Sequence, residues 1–298
     1  MTGILLIDKP QNMTSFVAAA RVRRLTQVKK TGHTGTLDPM ATGVLPVLLG
    51  GATRFCEMLP SHDKAYEATL RLGVVTDTLD ITGEVLEERS FSSVTRADFE
   101  AALGGFVGTI NQIPPMYSAI SQNGVRLYKL ARQGIEVERE SRRVTIFSAE
   151  LLDCDEKKGE YRIGVECSGG TYIRSLIADI GEKLGCGAVM TALRRTKANG
   201  FTISECMTLD EIGALSAGGE LGSRVIPIEK ALSSYRYITV TAPQAQRFKN
   251  GGGLSLERLY LKEPGDHELV RVNAPGGEFL GMGEISDGEV KVKKLLVK

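Results

Sequence analysis

The amino-acid sequence predicts an α+β protein, with a large first domain and a small β-rich domain at the C-terminus. Three observations predict this. Short apolar or alternating runs of strand length recur at residues 4–7, 44–49, 66–72, 144–152 and 161–167. Residues 171–184 carry a strong helical period, with Ile173, Leu176, Ile177, Ile180 and Leu184 on one face. After Pro227 the texture changes to short strands and a Gly251-Gly252-Gly253 turn, without a long helical pattern. A length of 298 residues suits two domains, and the boundary falls near 230: one domain over 1–230 and another over 236–298.

Taken in order, residues 3–7 read as a short buried strand. Residues 15–25 follow as a helix, with Thr14 or Ser15 as its cap. The stretch 29–43 is rich in glycine and threonine and lacks apolar periodicity, so it is expected to be an ordered loop. Residues 44–49 form a second buried strand. Residues 66–72 alternate as a half-buried strand does, and 84–88 can pair with them across a polar segment. A helix is expected over 95–103. Residues 111–141 mix prolines, glycines and charges and read as a long loop. After the 171–184 helix, Thr208-x-x-Glu211 is a capping-box signature for another short helix.

Composition excludes several classes. The five cysteines are odd in number and contain no CxxC pair, and three histidines add no plausible zinc ligand set. The N-terminal apolar run ends at Asp8 and Lys9, too short for a signal sequence, and no stretch approaches a membrane span. A soluble, cytoplasmic protein with reduced thiols and no zinc site is the expectation. The net charge is only +1, yet the bases cluster: Arg21, Arg23, Arg24, Lys29 and Lys30; Arg142 and Arg143; Arg194, Arg195 and Lys197; Lys291, Lys293, Lys294 and Lys298. Charge segregated in this way suits a surface that follows phosphates.

The most informative segment is Lys29-Lys-Thr-Gly-His-Thr-Gly-Thr-Leu-Asp-Pro39. Pro39 biases Asp38 towards an extended backbone, which fixes where its side chain points. Gly32 and Gly35 would allow close approach by a ligand or another strand. Two other readings remain open on these residues alone: an aspartate capping a turn, and a GxxG clamp on RNA backbone. Arg174 is the second informative residue. It falls in the first turn of the 171–184 helix, where a cation opposes the helix dipole, so its placement asks for an anionic partner.

The run Gly32-His-Thr-Gly-Thr-Leu-Asp-Pro-x-Ala-x-Gly43 resembles the catalytic motif of the TruB family of pseudouridine synthases, without a gap. The resemblance continues through Gly3-x-Leu-Leu-Ile-Asp-Lys-Pro10, Lys64-x-Tyr66 and Gln112-x-Pro-Pro-x-Tyr-Ser-Ala119. Gly124-x-Arg-Leu-Tyr128, Gly170-Thr-Tyr-Ile-Arg-Ser-Leu176 and Leu193-Arg-Arg-Thr196 complete it in the family's order. The implied fold is a mixed, largely antiparallel sheet with flanking helices, followed by a PUA-like RNA-binding domain. The implied activity is isomerisation of uridine to pseudouridine at position 55 in the T-arm loop of tRNA, by base flipping, with no cofactor or metal. The implied partner is the T stem-loop of tRNA, and the enzyme is expected to be a monomer with no obligate protein partner.

Roles follow from the resemblance. Asp38 matches the catalytic aspartate, in keeping with carboxylate assistance to glycosidic cleavage in other enzymes. Arg174 is implied as its counter-ion, Tyr66 as the platform for the flipped base, and Tyr172 and Leu193 as contacts to it. His33 is implied to stack beneath the RNA loop. Lys64, Asp80, Arg142, Arg143, Arg194 and Arg195 are expected to contact RNA, while Lys9 and Pro10 support the loop. One departure is visible: Ser121 stands where the family commonly has lysine, which removes a cation from the 111–141 loop. Two rival functions are a tRNA-binding and folding protein with dispensable catalysis, and a nucleosidase acting through a lone aspartate.

Overall fold

The computed structural model describes residues 1–122 and 124–296. Asn123, beside the Ser121 departure, and Lys298, of the C-terminal basic cluster, lie outside the described residues. The chain divides into two compact units. One comprises residues 1–39, 44–61 and 204–298, and the other residues 40–43 and 62–203.

In the first unit the strand Gly3–Lys9 lies beside the strand Thr42–Leu49. Residues 29–43, expected as loop throughout, contain a short strand Thr31–His33, antiparallel to Val47–Leu49. The backbone of the motif is therefore fixed by a ladder at its start. The helix Ser15–Thr26 buries Ala18, Ala19 and Val22 against Leu5, Ile7, Leu45 and Ile212. Its cap is Thr14, whose hydroxyl accepts a bond from the Val17 amide at 3.2 Å. The helix Leu209–Ala217 opens on the Thr208–Glu211 capping box, as its sequence signalled.

Also in this unit, five strands form a separate sheet in the order Tyr237–Thr239, Leu269–Asn273, Phe279–Ser286, Glu289–Leu295 and Leu254–Ser255. Phe248, Val270, Val272, Leu280 and Val290 fill its core. Phe248 comes from a helix, Ala242–Lys249, which the sequence reading lacks. Two turns of helix are too short to show a period. The available sign is the Thr241-x-x-Gln244 capping box, with Pro243 in the first turn. A 3-10 stretch, Gly50–Met58, is likewise new; its Phe55 ring lies 5.7 Å from that of Phe279.

The second unit is built on strands in the order Ala188–Ala198, Lys64–Leu72, Glu160–Cys167, Arg142–Asp155 and Gly108–Gln112, each antiparallel to the next. On the free side of Ala188–Ala198, Thr42 and Gly43 pair in parallel with Arg194 and Arg195. The sheet is thus mixed and largely antiparallel, as expected. The helix Ile173–Lys183 packs on it through Ile173, Leu176, Ile177 and Ile180. The helix Arg96–Gly104 packs against the strand Arg142–Asp155, and its Phe99 stacks on Tyr161 at 4.0 Å between ring centroids.

Candidate active site

In the first unit, Asp38 sits on a short loop whose neighbours on both sides are anchored. The Ser15 hydroxyl accepts from the Leu37 amide at 2.8 Å and donates to the Leu37 carbonyl at 3.1 Å. Because Thr14 serves as the helix cap, the Ser15 side chain is free for this task, and it is buried. On the other side the Lys9 ammonium, with no exposed surface, donates to the carbonyls of Pro10 at 2.8 Å, Met13 at 2.6 Å and Pro39 at 3.4 Å. A buried cation held by several carbonyls is costly to displace. The expected supporting role of Lys9 therefore has a concrete form: it ties the end of the first strand to the residue after Asp38.

Asp38 and His33 are both half-buried. His33 closes the short Thr31–His33 strand, and its carbonyl accepts from the Cys56 thiol at 3.9 Å. Gly35 has φ +66, a conformation that favours glycine, whereas a methyl at Gly32 would meet only Thr53, at 3.8 Å. Of the two glycines expected to permit close approach, Gly35 is the one the backbone requires.

The second unit holds Tyr66, Tyr172, Arg174, Leu193 and Asp80. Arg174 is only 4% exposed. Its guanidinium donates to the Thr78 carbonyl at 2.9 Å and to the Tyr117 carbonyl at 2.8 Å, and lies 3.6 Å from the Asp80 carboxylate. This meets the demand for a nearby anion set by its place in the first helical turn. The planar fork reaches three oxygens on two loops at once, which a single ammonium cannot do.

Asp80 was expected at the RNA surface, and it faces inward. It is 5% exposed and accepts from the Thr78 hydroxyl and from the Thr82 amide, both at 3.0 Å. Its turn is docked on the strand Ala188–Ala198, where the Ile81 amide donates to the Met190 carbonyl at 2.9 Å. The turn also holds Leu79 at φ +61, a conformation uncommon outside glycine. Asp80 thus organises the turn and pairs with Arg174.

Gln112, which the motif contains but the site prediction omitted, grips Tyr172 at two points. Its Oε1 accepts from the Tyr172 amide at 2.7 Å and its Nε2 donates to the Tyr172 carbonyl at 3.0 Å. The Ser175 hydroxyl donates to the Ile113 carbonyl at 2.9 Å. These bonds lay the 112–117 segment along the first turn of the Ile173–Lys183 helix, beside Arg174.

Tyr66 is buried in the strand Lys64–Leu72, with Arg195 as its register partner; Leu193 pairs with Ala68. The two arginines of the Leu193-Arg-Arg-Thr196 motif differ. Arg194 is half-buried and donates to the Thr42 hydroxyl at 3.2 Å, while Arg195 has no exposed surface. The expected phosphate contact is corrected for Arg195, because a guanidinium wholly inside the protein cannot meet RNA without rearrangement. Its charge is felt by Lys64, whose pKa is lowered first by burial and then by Arg195. Arg142 and Arg143 are exposed, as a phosphate contact requires. Among the described residues no cluster of three or more His, Cys, Asp or Glu is placed to hold a metal, and no helix is long and apolar enough to cross a membrane.

Comparison with known proteins bears on this geometry. Residues 23–173 match the TruB family pseudouridylate synthase (N terminal domain), and residues 174–233 match the tRNA pseudouridylate synthase B C-terminal domain. Residues 237–296 match Pseudouridine synthase II TruB, C-terminal. The chain is 46% identical to tRNA pseudouridine synthase B of Clostridium perfringens, over 100% of both chains. It is 44% identical to tRNA pseudouridine synthase B of Pseudomonas fluorescens, over 99% of this chain and 96% of the relative. Among solved structures it is similar to an archaeal box H/ACA sRNP Nop10–Cbf5 complex, with a TM-score of 0.73 and 25% identity over 99% of this chain and 86% of that one.

Proposed function

Because the chain belongs to the TruB family of pseudouridine synthases, with uridine isomerisation in tRNA as its reaction, we propose that its target is position 55 in the T-arm loop. The uridine leaves the RNA stack and Asp38 assists cleavage of the bond between N1 and C1′. The uracil turns, C5 bonds to the same C1′, the C5 proton is lost and N1 takes up a proton. Atoms balance within the nucleotide, so the reaction consumes no co-substrate.

Asp38 is the reacting carboxylate. Tyr66 serves as the stacking platform, with Tyr172, Leu193 and His33 in the substrate-binding roles that the family resemblance implies. The family resemblance gives Arg174 the part of counter-ion to the catalytic carboxylate. Arg142, Arg143 and Arg194 meet phosphates, and Lys64 contacts the RNA. Residues 1–230 form the catalytic domain and 236–298 a PUA-like RNA-binding domain. The enzyme acts as a cytoplasmic monomer without an obligate protein partner.

The observation that supports this reading best is the anchoring of Asp38 by Ser15 and Lys9 on its two neighbours. A carboxylate that must act on one bond of a flipped nucleotide needs a fixed backbone. The test is to incubate an unmodified tRNA transcript with the enzyme and map pseudouridine by carbodiimide adducts and primer extension. A single stop adjacent to position 55 is the expected result. Modification elsewhere, with position 55 untouched, would overturn the assignment.

A further inference from the structure

Between Asp8 and Asp38 the chain has no carboxylate, while Arg21, Arg23, Arg24, Lys29 and Lys30 all fall there. The helix Ser15–Thr26 turns its small and apolar side, Ala18, Ala19 and Val22, into the core. Its other side carries Phe16, 77% exposed, and Val17, 49% exposed, in the first turn, then Ala20, Arg23 and Arg24. A shallow groove runs along this side and is lined by Val17, Ala20, Arg23, Arg24 and Lys29. Arg21 is held by Asp210 at 3.2 Å. Among the described residues, Arg23, Arg24, Lys29 and Lys30 have no carboxylate within ion-pair distance.

Two arginines at a helix C-terminus interact favourably with the dipole, but that explains neither the two lysines beyond it nor an aromatic ring left in water. A basic groove with an exposed aromatic at one end is complementary to a nucleic-acid strand, in phosphate charge and in base or ribose stacking. Its position agrees. Ser15, at the start of this helix, grips Leu37 next to Asp38. A rise of about 1.5 Å per residue puts Arg23 and Arg24 about 12–14 Å further along the axis, a few nucleotide steps from the motif loop.

We infer that the outward face of the Ser15–Thr26 helix, continued by Lys29 and Lys30, is a docking surface for the sugar-phosphate backbone of the RNA stem that flanks the target uridine. This rests on the proposed tRNA substrate. Arg23 and Arg24 each neutralise a phosphate, and Phe16 packs against the strand nearest the motif loop.

The test uses the full-length protein and a T stem-loop RNA, with affinity followed by fluorescence anisotropy between about 50 and 400 mM KCl. The variants are R23Q/R24Q and, independently, K29Q/K30Q, with R96Q as a control on a different helix. Loss of two phosphate contacts lowers the slope of log affinity against log salt by about 2 in R23Q/R24Q, and the turnover defect falls on KM rather than on kcat. A similar drop is expected for K29Q/K30Q and none for R96Q. Wild-type slopes in both double variants overturn the inference. So does loss of binding to anionic phospholipid vesicles with RNA binding intact, which would make the face a lipid surface. A wild-type protein that leaves every uridine unchanged refutes the proposed function instead, so the two failures are distinguishable.

Discussion

At the scale of single residues, the proposed chemistry calls for side chains whose neighbours hold them rigidly. Arg174 illustrates the point: three oxygens, on Thr78, Tyr117 and Asp80, receive one planar cation. Lysine at this place keeps the charge but can satisfy only part of that set. R174K is therefore expected to lower turnover about a thousandfold while lowering folding stability by only about 2 kcal/mol. Single-turnover kinetics and urea unfolding measure the two, and turnover within a factor of two of wild type would contradict the role. Cysteine reactivity gives a second residue-scale expectation. Burial is the largest cause raising the Cys167 pKa to about 11, and it also raises that of Cys186. At pH 8 only about one Cys167 in a thousand is thiolate, and that fraction grows only as pH climbs towards 11. An aromatic disulfide reagent at pH 8 should label Cys154 and Cys206, which reach solvent, and leave Cys167 unlabelled until denaturant is added. Rapid labelling of Cys167 in the folded protein would show that its burial is not maintained.

At the scale of elements, what the sequence made legible depends on whether an element repeats a period. The helix Ile173–Lys183 and the strand Lys64–Leu72 repeat one and were readable. The strand Ala188–Ala198 was not assigned. Its register shifts between Met190 and Ala192, and again between Arg195 and Lys197, so inward and outward positions do not alternate cleanly. That is why Arg194 and Arg195 read as one basic pair when their exposures differ. The expected RNA contact of Asp80 came from the family resemblance, which does not reveal that its turn docks on the strand Ala188–Ala198 and buries the carboxylate. By contrast, the Asp38 motif was legible through its family resemblance, carried by glycine, proline and carboxylate at fixed spacing, although the short strand Thr31–His33 within it was not. Gly43 at the end of that motif has an element-scale role. Its φ is +108, and a Cβ there would lie 2.2 Å from the Arg195 carbonyl oxygen, where residues 42–43 pair with 194–195. G43A should cost at least about 3 kcal/mol and appear as a fall in melting temperature or loss of soluble protein. An unchanged melting temperature would mean that this pairing is dispensable.

At the scale of the whole molecule, a net charge of +1 conceals the segregation that RNA binding requires. Basic residues concentrate on the Ser15–Thr26 helix and its continuation in the first unit, and at Arg142 and Arg143 in the second. Both units also contain residues of the family motifs, which are spread through most of the sequence. The central claim is narrower: Asp38 drives isomerisation, and its loss leaves RNA binding in place. The most direct measurement is tritium release from a T-arm transcript labelled at C5 of uridine, comparing wild type with D38A at equal RNA occupancy. Release by the wild type, with none above background from D38A bound to the same RNA, is the predicted result. Release by D38A at a rate near that of wild type would contradict the account.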